Sequence, residues 1–418
     1  MTFRSLRFAT LFLLFAFAGP AFAQPGGKLY HLPIGDPGRK DRDVPLQLDV
    51  VTDTKTGEAI TPDEMVKRLT GVRLLLIGEE HTNMDIHRVQ ARVIEGLVAS
   101  GRRVFIGLEM FPYPWQHSLD EWKDGLLTEE GFLKLARWYE NWGYHWLYYR
   151  DIFMFARDKR LSMFAVNAPR EVVSAVRKKG FANLTPEEAA HIPKDIDVSN
   201  PDHLAFFKAT FADVQGGPMG MGADMPDEMW KSMLSAQATW DATMGFHAVQ
   251  ALKDFGGNDA IMVVLVGSGH VAYGLGIEHQ AKQWFKDPIA SLIPMQVTSN
   301  LVPLGTVRAS YANFIWGVPE ENDSLYPSTG LSTTAVETSL RLLQPTQGSR
   351  AAKCGFKAGD VIVSMDGTPI TDKETLARLT AVKRWGDVAV FVVTRGTEKV
   401  TLSMTFRRTA PTREPRKQ

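Results

Sequence analysis

Short apolar runs alternate along this chain with stretches in which apolar residues recur every three or four positions. The runs at residues 73–77, 103–108, 163–166 and 263–266 are rich in aliphatic and β-branched residues, which predicts buried strands. The longest periodic stretch, residues 227–255, predicts a helix. Alternation of this kind predicts an α/β fold, with a mostly parallel sheet and helices on both faces.

Shorter helices are predicted around these strands. Their ranges are 85–99, 119–122, 132–139, 151–159 and a segment that opens at Pro169-Arg170. Thr185-Pro-Glu-Glu188 predicts a capping box with proline in the first turn. Residues 215–222, rich in glycine, predict a mobile loop. The Trp- and Tyr-rich residues 138–149 are expected to pack chiefly against the sheet; the alternative is that they line a flat apolar pocket.

The first residues have the pattern of a secretory signal. Two arginines precede the apolar residues 8–18, and Ala21-Phe-Ala23 has small residues where signal peptidase cleaves. Cleavage is expected after Ala23, and Gln24 stands where a lipid anchor would require cysteine. No later apolar run is long enough to span a bilayer. These features predict a protein without a transmembrane segment, soluble after cleavage and periplasmic or secreted.

Composition narrows the class further. Cys354 is the single cysteine, so an intramolecular disulfide is excluded. The 47 Lys and Arg residues balance 47 Asp and Glu residues, which gives no indication of a nucleic-acid surface. The predicted organisation is a signal peptide (1–23), an extended lead-in (24–53), an α/β domain (54–317), a linker (318–329), a small second domain (330–408) and a basic tail (409–418).

Polar residues cluster at the predicted strand ends. Gly78-Glu79-Glu80-His81 and Gly267-Ser-Gly-His270 each close an apolar run, while Glu109 and Arg170 follow two other runs. Ligands bind at the carboxyl ends of strands in open α/β sheets, so both histidines are expected at one pocket. The alternative is that each imidazole only caps a following helix.

The long helix has a polar face. Gln237, Trp240, Asp241, Met244 and His247 lie at spacings that place them on one side. A buried glutamine or aspartate needs hydrogen-bond partners, which the strand-end cluster could supply. Capping of neighbouring loops is the alternative.

Two chemistries fit these residues. His81, His270 and Glu109 form a ligand set for a catalytic zinc, with a further glutamate such as Glu79 or Glu80 to activate a bound water. Without a metal, His81 held by a carboxylate is a general base and Arg170 steadies an oxyanion.

Five motifs, taken in order, carry a family resemblance. They are Gly78-Glu-Glu-His81, Leu108-Glu109-Met110, Asn167-Ala-Pro-Arg170, Ala236-Gln237-x-x-Trp240-Asp241-x-x-Met244 and Gly267-x-Gly-His270-Val-x-Tyr273. Together they resemble the ChaN domain, a haem-binding branch of the Tiki superfamily, over residues 54–300. The resemblance implies a role in iron acquisition, with haem between two subunits and a tyrosinate on iron. The superfamily also includes proposed metalloproteases and is related to erythromycin esterases.

The resemblance directs attention to iron ligands. Tyr273, three residues after His270, is the first choice for the axial ligand, and Tyr144, Tyr148 and Tyr149 are rivals. The remaining cofactor-binding candidates are His270, Gln237, Asp241 and Met244. A hydrogen bond from the Tyr273 hydroxyl to a loop is the structural alternative.

The C-terminal region resembles a PDZ domain. Gly348-Ser-Arg-Ala-Ala and Gly359-Asp-Val-Ile-Val-Ser-Met-Asp-Gly367 match the family's helix entry and its strand-turn unit. The resemblance implies a peptide groove beside a helix at 371–381, with Gly330-Leu331-Ser332 nearest to a carboxylate loop. The leading hypothesis is therefore an exported haem-binding protein of iron uptake or handling whose PDZ domain docks a partner peptide. A homodimer is part of this hypothesis. The alternative is a metal- or histidine-dependent esterase or protease.

Overall fold

A computed structural model describes residues 28–212, 225–297, 305–321, 323–345 and 348–408. The predicted signal peptide, the predicted loop at 215–222 and the predicted basic tail lie outside these residues. Among the described residues, 28–327 form one compact unit and Ser328–Arg407 form another. The boundary between the units falls inside the segment predicted as a linker.

The first unit is an α/β domain. Its described strands are β1 (Asp43–Pro45), β2 (Val51–Asp53), β3 (Glu58–Ile60), β4 (Leu74–Glu79), β5 (Val104–Pro112), β6 (Ser162–Asn167), β7 (Ile261–Gly267), β8 (Ile289–Val297), β9 (Thr306–Arg308) and β10 (Phe314–Pro319). Its described helices are α1 (Pro62–Arg68), α2 (Met84–Ala99), α3 (Gln116–Lys123), α4 (Glu129–Leu135), α5 (Trp138–Asn141), α6 (Arg150–Asp158), α7 (Arg170–Lys179), α8 (Pro186–Ala189), α9 (Pro201–Ala212), α10 (Asp227–Phe255) and α11 (Ile277–Ala281).

Within the described residues, eight of these strands form one sheet in the order β3-β2-β10-β8-β4-β7-β5-β6. Pairing is parallel from β10 to β6 and antiparallel at β2 and β3. The central strands β4 and β7 are buried along their whole length, as expected for a parallel sheet covered by helices. This arrangement confirms the predicted α/β class.

Local sequence explains the helix bounds near the site. The predicted apolar face of α2 is buried at Ile86, Val93 and Leu97, and the capping box at Thr185 is confirmed. The single helix predicted over 132–139 is wrong, because Arg137 has a left-handed φ of 46° that separates α4 from α5.

The described part of the lead-in packs onto the domain. Leu29 and Tyr30 are buried, and β1 pairs antiparallel with β9. The backbone N–H of Leu46 also donates to Gly305. These contacts make the segment part of the domain's structure.

The second unit is an antiparallel sheet with two short helices. Its described strands are β11 (Thr333–Val336), β12 (Ser339–Leu342), β13 (Val361–Met365), β14 (Thr368–Pro369), β15 (Val388–Arg395) and β16 (Glu398–Thr405), and its described helices are α12 (Arg350–Lys353) and α13 (Lys373–Ala381). The order is β11-β12-β13-β15-β16, with β14 beside β13. A separate apolar core includes Phe356, Ile362 and Phe391, so the unit confirms the predicted β-rich domain.

Candidate functional site

The two Gly-x-x-His sequences meet at one edge of the parallel sheet. β4 and β7 are neighbours, and Glu79 pairs in register with Gly267 at their carboxyl ends. β5 lies on the other side of β7 and carries Glu109. Glu109 was predicted to follow a strand, but β5 continues to Pro112 because Met110 and Phe111 are also buried.

The first cluster is built around the Glu79 carboxylate. His81 Nδ1 donates to Glu79 Oε1 at 2.8 Å, and the Tyr149 hydroxyl donates to the same oxygen at 2.6 Å. Gln90 Nε2 donates to Oε2 at 2.7 Å. His87 Nδ1 lies 3.7 Å from Oε2 and packs against the Tyr149 ring. Both carboxylate oxygens therefore have donors although the group is buried.

These contacts fix the charge states of the cluster. Burial raises the pKa of Glu79, but the imidazoles of His87 and His81 and the Tyr149 hydroxyl lower it, to about 2 overall. Burial lowers the pKa of His81, but the bond to Glu79 outweighs this effect and raises it. Glu79 is thus an anion at neutral pH and holds the His81 ring with Nδ1 protonated.

Two partly exposed aromatic rings flank the His81 ring. Trp142 lies edge-on with centroids 4.7 Å apart, and Tyr144 is tilted at 4.8 Å. Arg170, at the start of α7, donates to the carbonyl oxygens of Glu140 and Asn141 just before this loop. Arg170 thus holds the loop that encloses His81; its proposed contact with an oxyanion stays a prediction.

Gly267, the last residue of β7, lets the backbone approach His81 closely. A Cβ at this position would lie 3.2 Å from His81 Cε1, 3.4 Å from its Nε2 and 3.7 Å from Glu109 Oε2. The Gly267 N–H also donates to Glu109 Oε2 at 2.7 Å. Glycine at this position thus lets the Nε2 side of His81 and the Glu109 carboxylate approach the same backbone.

The second cluster encloses His270. Its Nδ1 donates to Asp241 Oδ1 at 2.6 Å, and Gln237 Nε2 lies 2.8 Å from the same nitrogen. Its Nε2 lies 3.5 Å from Glu109 Oε1. Gln237 and Asp241 project from α10 as the helical spacing predicts, and both are buried. The predicted partnership between this helix face and the strand end is therefore present.

Two carboxylates hold His270 as a cation. Burial lowers the pKa of His270, but Asp241 and Glu109 raise it, to about 10 overall. Burial likewise raises the pKa of Glu109, while His270, His81 and the Gly267 N–H lower it. The site therefore places an imidazolium beside ionised carboxylates at neutral pH.

Behind His270 the polar network is incomplete. Gln237 Oε1 and Asp241 Oδ2 are buried without a hydrogen-bond partner among the described residues. His203 Nε2 lies 3.8 Å from Asp241 Oδ2, and burial lowers the pKa of His203. This separation is longer than a hydrogen bond, so His203 does not satisfy Asp241 Oδ2.

Other predicted residues lie elsewhere. Glu80 accepts from Gln296 Nε2 at 2.8 Å, and burial raises the pKa of Glu80. Met244 is fully buried. The Tyr273 hydroxyl donates to the Leu29 carbonyl at 2.8 Å and accepts from the Leu32 N–H at 3.1 Å, and burial raises the pKa of Tyr273. Ligation of iron by Tyr273 stays a prediction, and the loss of the phenol proton would break the bond to Leu29.

The rival tyrosines are also placed. The Tyr148 hydroxyl is buried and accepts from the Tyr326 N–H at 3.2 Å. Tyr149 is committed to Glu79, and Tyr144 borders His81. The aromatic block therefore packs against the domain at its centre and borders the site at Trp142 and Tyr144.

A zinc site is not supported. Among the residues that the structure describes, no three His, Cys, Asp or Glu side chains are grouped so as to hold a metal ion. His81 Nδ1 is occupied by Glu79, and both ring nitrogens of His270 face carboxylates.

Sequence reasoning missed the residues that support the site. Gln90 and His87 project from the buried side of α2, and His203 projects from α9. The signal was available, since polar residues on the apolar face of a helix need buried partners. Their partner, however, was identifiable only from the packing of α2 on β4.

Comparison with known proteins follows the same division of the chain. The family model described as haem-binding uptake, Tiki superfamily, ChaN matches residues 65–280, and a PDZ model matches residues 327–405. No curated protein sequence matched the chain. No helix of the described residues has the length and apolar character needed to cross a membrane.

One similar solved structure is that of ChaN of Campylobacter jejuni, described as showing cofacial haem binding. Its sequence is 16% identical to this chain and the TM-score is 0.48; the alignment covers 65% of this chain and 98% of that chain. The HtrA-type protease AlgW with a decapeptide is 21% identical with a TM-score of 0.19, covering 21% of this chain and 30% of that chain. The HtrA3 PDZ domain bound to a phage-derived ligand is 18% identical with a TM-score of 0.18, covering 19% of this chain and 83% of that chain. This chain thus spans about a third of the protease.

The haem-binding uptake family model covers more than half of the chain, and the strand-end motifs all lie within the residues that it matches. The chain belongs to the haem-binding uptake family of the Tiki superfamily, the family of ChaN, and it carries a PDZ domain after that family's domain.

Proposed function

We propose that this protein is an exported haem-binding protein of iron or haem uptake. The observation that carries the proposal is the match of residues 65–280 to a haem-uptake family. The leader pattern of residues 1–23 supports a periplasmic or secreted location. A homodimer remains part of the proposal.

The donor groups fit haem. Iron in haem accepts histidine, tyrosine and methionine as ligands. His81 keeps Nε2 on the side of the ring away from Glu79, and a ligand histidine is commonly held by a carboxylate at its other nitrogen. Tyr113 offers a partly exposed hydroxyl. When bound, haem would supply an iron centre, while this chain would supply the ligand and its orientation.

A spectral titration tests the proposal. Ferric haem added to the mature chain should give a saturable change in the Soret band at one equivalent per chain, with a shift in sedimentation if two chains associate. Absence of a saturable change at micromolar haem would contradict the proposal. Serum albumin at the same concentration controls for nonspecific partition of haem.

The PDZ domain is proposed to dock a partner peptide. β11 lies at the edge of its sheet, pairs with β12 on one side and follows directly after Gly330-Leu331-Ser332. An extended peptide can add to such an edge through backbone hydrogen bonds. Screening a C-terminal peptide library against the full chain tests this role, and no ligand above background would contradict it.

A second function is acid–base hydrolysis, favoured by the geometry of the two histidines. His81 Nε2 would take a proton from water while the oxygen attacks a carbonyl carbon, and the protonated His81 would return that proton to the leaving group when the tetrahedral intermediate collapses. The His81→Ala variant should then lose turnover of ester or peptide substrates at unchanged thermal midpoint. Equal loss of stability and turnover would favour a structural histidine.

A further inference from the structure

Little of the His81 ring is open to solvent. Its side chain is 11% exposed, because the Trp142 and Tyr144 rings cover it at centroid distances of 4.7 and 4.8 Å. A flat ligand centred on His81 Nε2 requires clear space around that atom, and a side chain with this exposure does not have it. The residues that cover the ring must therefore move before such a ligand can bind.

These covering residues belong to a short segment that is held differently at its two ends. We call residues 140–144 the lid. At one end, the buried Trp138 indole donates to the Tyr144 carbonyl oxygen at 2.8 Å. At the other end, the exposed Arg170 guanidinium donates to the carbonyl oxygens of the first two lid residues. The first attachment is part of the core, whereas the second can break at the surface without unpacking it.

The lid depends on Arg170 because α5 is too short to hold its own end. α5 is a single turn, and isolated turns of helix are marginal in water. The last carbonyl groups of a helix have no partner within it, and Arg170 bonds two of those of α5. Arg170 begins α7, whose Val172, Val173 and Val176 are buried. A firmly packed helix thus holds the end of one that is marginal.

The closed lid also contains backbone that is unfavourable for most residues. Gly143 has a φ of 84°, and Arg137, just before α5, has a φ of 46°. Left-handed conformations cost free energy for a residue with a side chain and persist only where surrounding contacts impose them. Loss of the Arg170 bonds removes one of those contacts, so the lid should open at that end first.

We propose that residues 140–144 form a lid over His81 and that Arg170 is the latch that keeps it closed. When the Arg170 bonds break, the Trp142 side of the lid swings away from the His81 ring, and the far end stays attached to the core. Opening admits a ligand to His81 Nε2. The inference goes beyond the proposed function, because it assigns ligand entry to a defined segment; it rests on that function only for haem as the ligand.

Amide hydrogen exchange of the mature full chain, without haem, tests the latch. The N–H groups of Trp142 and Gly143 donate to the Trp138 carbonyl oxygen at 2.8 and 3.3 Å in the closed lid, so they exchange when the lid opens. Arg170→Ala removes two hydrogen bonds from a charged donor and should raise the exchange rate of the lid at least about tenfold. Exchange in β4 and β7 should not change.

Three further variants make the result specific. Arg177→Ala is the matched control, since Arg177 lies near the C-terminal end of the same helix; it should leave lid exchange unchanged. Arg170→Lys keeps the charge without the planar fork and should give an intermediate rate. Gly143→Ala adds a Cβ whose nearest neighbour is the Tyr139 carbonyl oxygen, at an ordinary 3.7 Å, so its cost is the left-handed φ. Lid exchange should rise in this variant although Arg170 is intact.

Ligand entry is measured in two ways. A small neutral nitroxide in solution should broaden the His81 imidazole resonances more in Arg170→Ala than in Arg177→Ala. The association rate of ferric haem is followed by stopped-flow absorbance. It should rise in Arg170→Ala by the factor seen in lid exchange, because only the open form binds.

The outcomes separate the lid from the haem function. Equal lid exchange in Arg170→Ala and Arg177→Ala overturns the latch, as does a rise that extends equally to β4 and β7. Raised lid exchange with unchanged broadening of His81 overturns the role in entry. Haem that binds Arg170→Ala at an unchanged rate enters elsewhere, which overturns the lid as its entrance. No binding of haem by wild type contradicts the proposed function, and exchange and broadening then decide the lid by themselves.

Discussion

The two Gly-x-x-His sequences begin from the same pattern and produce different histidines. His81 has one carboxylate at Nδ1 and an Nε2 that makes no hydrogen bond to another described residue. His270 has carboxylates facing both nitrogens, Asp241 at 2.6 Å and Glu109 at 3.5 Å. The first is an oriented imidazole with one side available, and the second is an enclosed cation.

The difference arises from the helices that pack beside each strand. α2 contributes a glutamine and a histidine to Glu79, so that carboxylate is satisfied before it binds His81. α10 contributes Asp241 and Gln237 directly to His270, and each leaves one oxygen without a partner. A short motif thus fixes where an imidazole lies, while the neighbouring helix decides its charge and accessibility.

The largest expected effect is at the enclosed cation. Asp241→Ala removes the closest partner of a buried imidazolium, and breaking a buried ion pair costs about 3–5 kcal/mol. Urea denaturation should therefore show a fall of that size in the free energy of unfolding. Gln237→Ala removes a neutral amide beside the same nitrogen and should cost about 1 kcal/mol. A cost for Asp241→Ala no greater than that of Gln237→Ala would show that His270 is not a buried cation.

The corresponding change at the oriented imidazole should be smaller. Glu79→Gln keeps the shape but removes the charge that three donors share, and hydrogen bonds to charged groups contribute about 1.5–3 kcal/mol. The pKa of Glu79 is about 2, below its ordinary value, so its contribution is present above about pH 4.5 and disappears as pH falls toward 2.

Glu80→Gln is the matched control, because Glu80 accepts from Gln296 and burial raises its pKa. Unfolding of both variants is compared with wild type between pH 2.5 and 7. The Glu79→Gln difference should shrink toward acid, whereas the Glu80→Gln difference should not. Parallel behaviour of the two variants would contradict the assigned role of Glu79.

The stability of the protein at alkaline pH tests the charge of His270 itself. Its pKa is raised to about 10, so its stabilising charge is fully present below the unfolded value near 6.5 and is lost as pH rises toward 10. Wild type should lose about 2 kcal/mol relative to His270→Gln between pH 7 and 9. The difference is measured by urea denaturation at each pH. A difference independent of pH over this range would place the His270 pKa near its ordinary value.

Much of this arrangement could be predicted from the sequence. Apolar runs located the central strands, and helical spacing placed Gln237 and Asp241 on one face near His270. The sequence could not reveal that Glu109 lies within β5, because burial of Met110 and Phe111 depends on the neighbouring strands. Nor could it reveal that His247 stacks on the Tyr113 ring instead of facing His270. One turn along a helix changes which element a side chain contacts.

The smallest expected effect concerns the backbone that separates the two histidines. Gly267→Ala adds a Cβ 3.2 Å from His81 Cε1 and 3.4 Å from Nε2, so the ring must shift by a few tenths of an ångström. The cost in unfolding free energy should stay within about 1 kcal/mol, because the glycine has an ordinary φ of −53° and no backbone strain is added. The His81 imidazole resonances should nevertheless move in NMR spectra.

Gly269→Ala provides the matched control two residues away, since a Cβ at that position meets no described atom within 4 Å. It should leave both stability and the His81 resonances unchanged. If the Gly267→Ala and Gly269→Ala spectra are the same at His81, the ring does not approach the end of β7 as closely as the structure places it. If His81 shifts only in Gly267→Ala while His270 remains unchanged, the two imidazoles are independently held, as their separate carboxylate partners require.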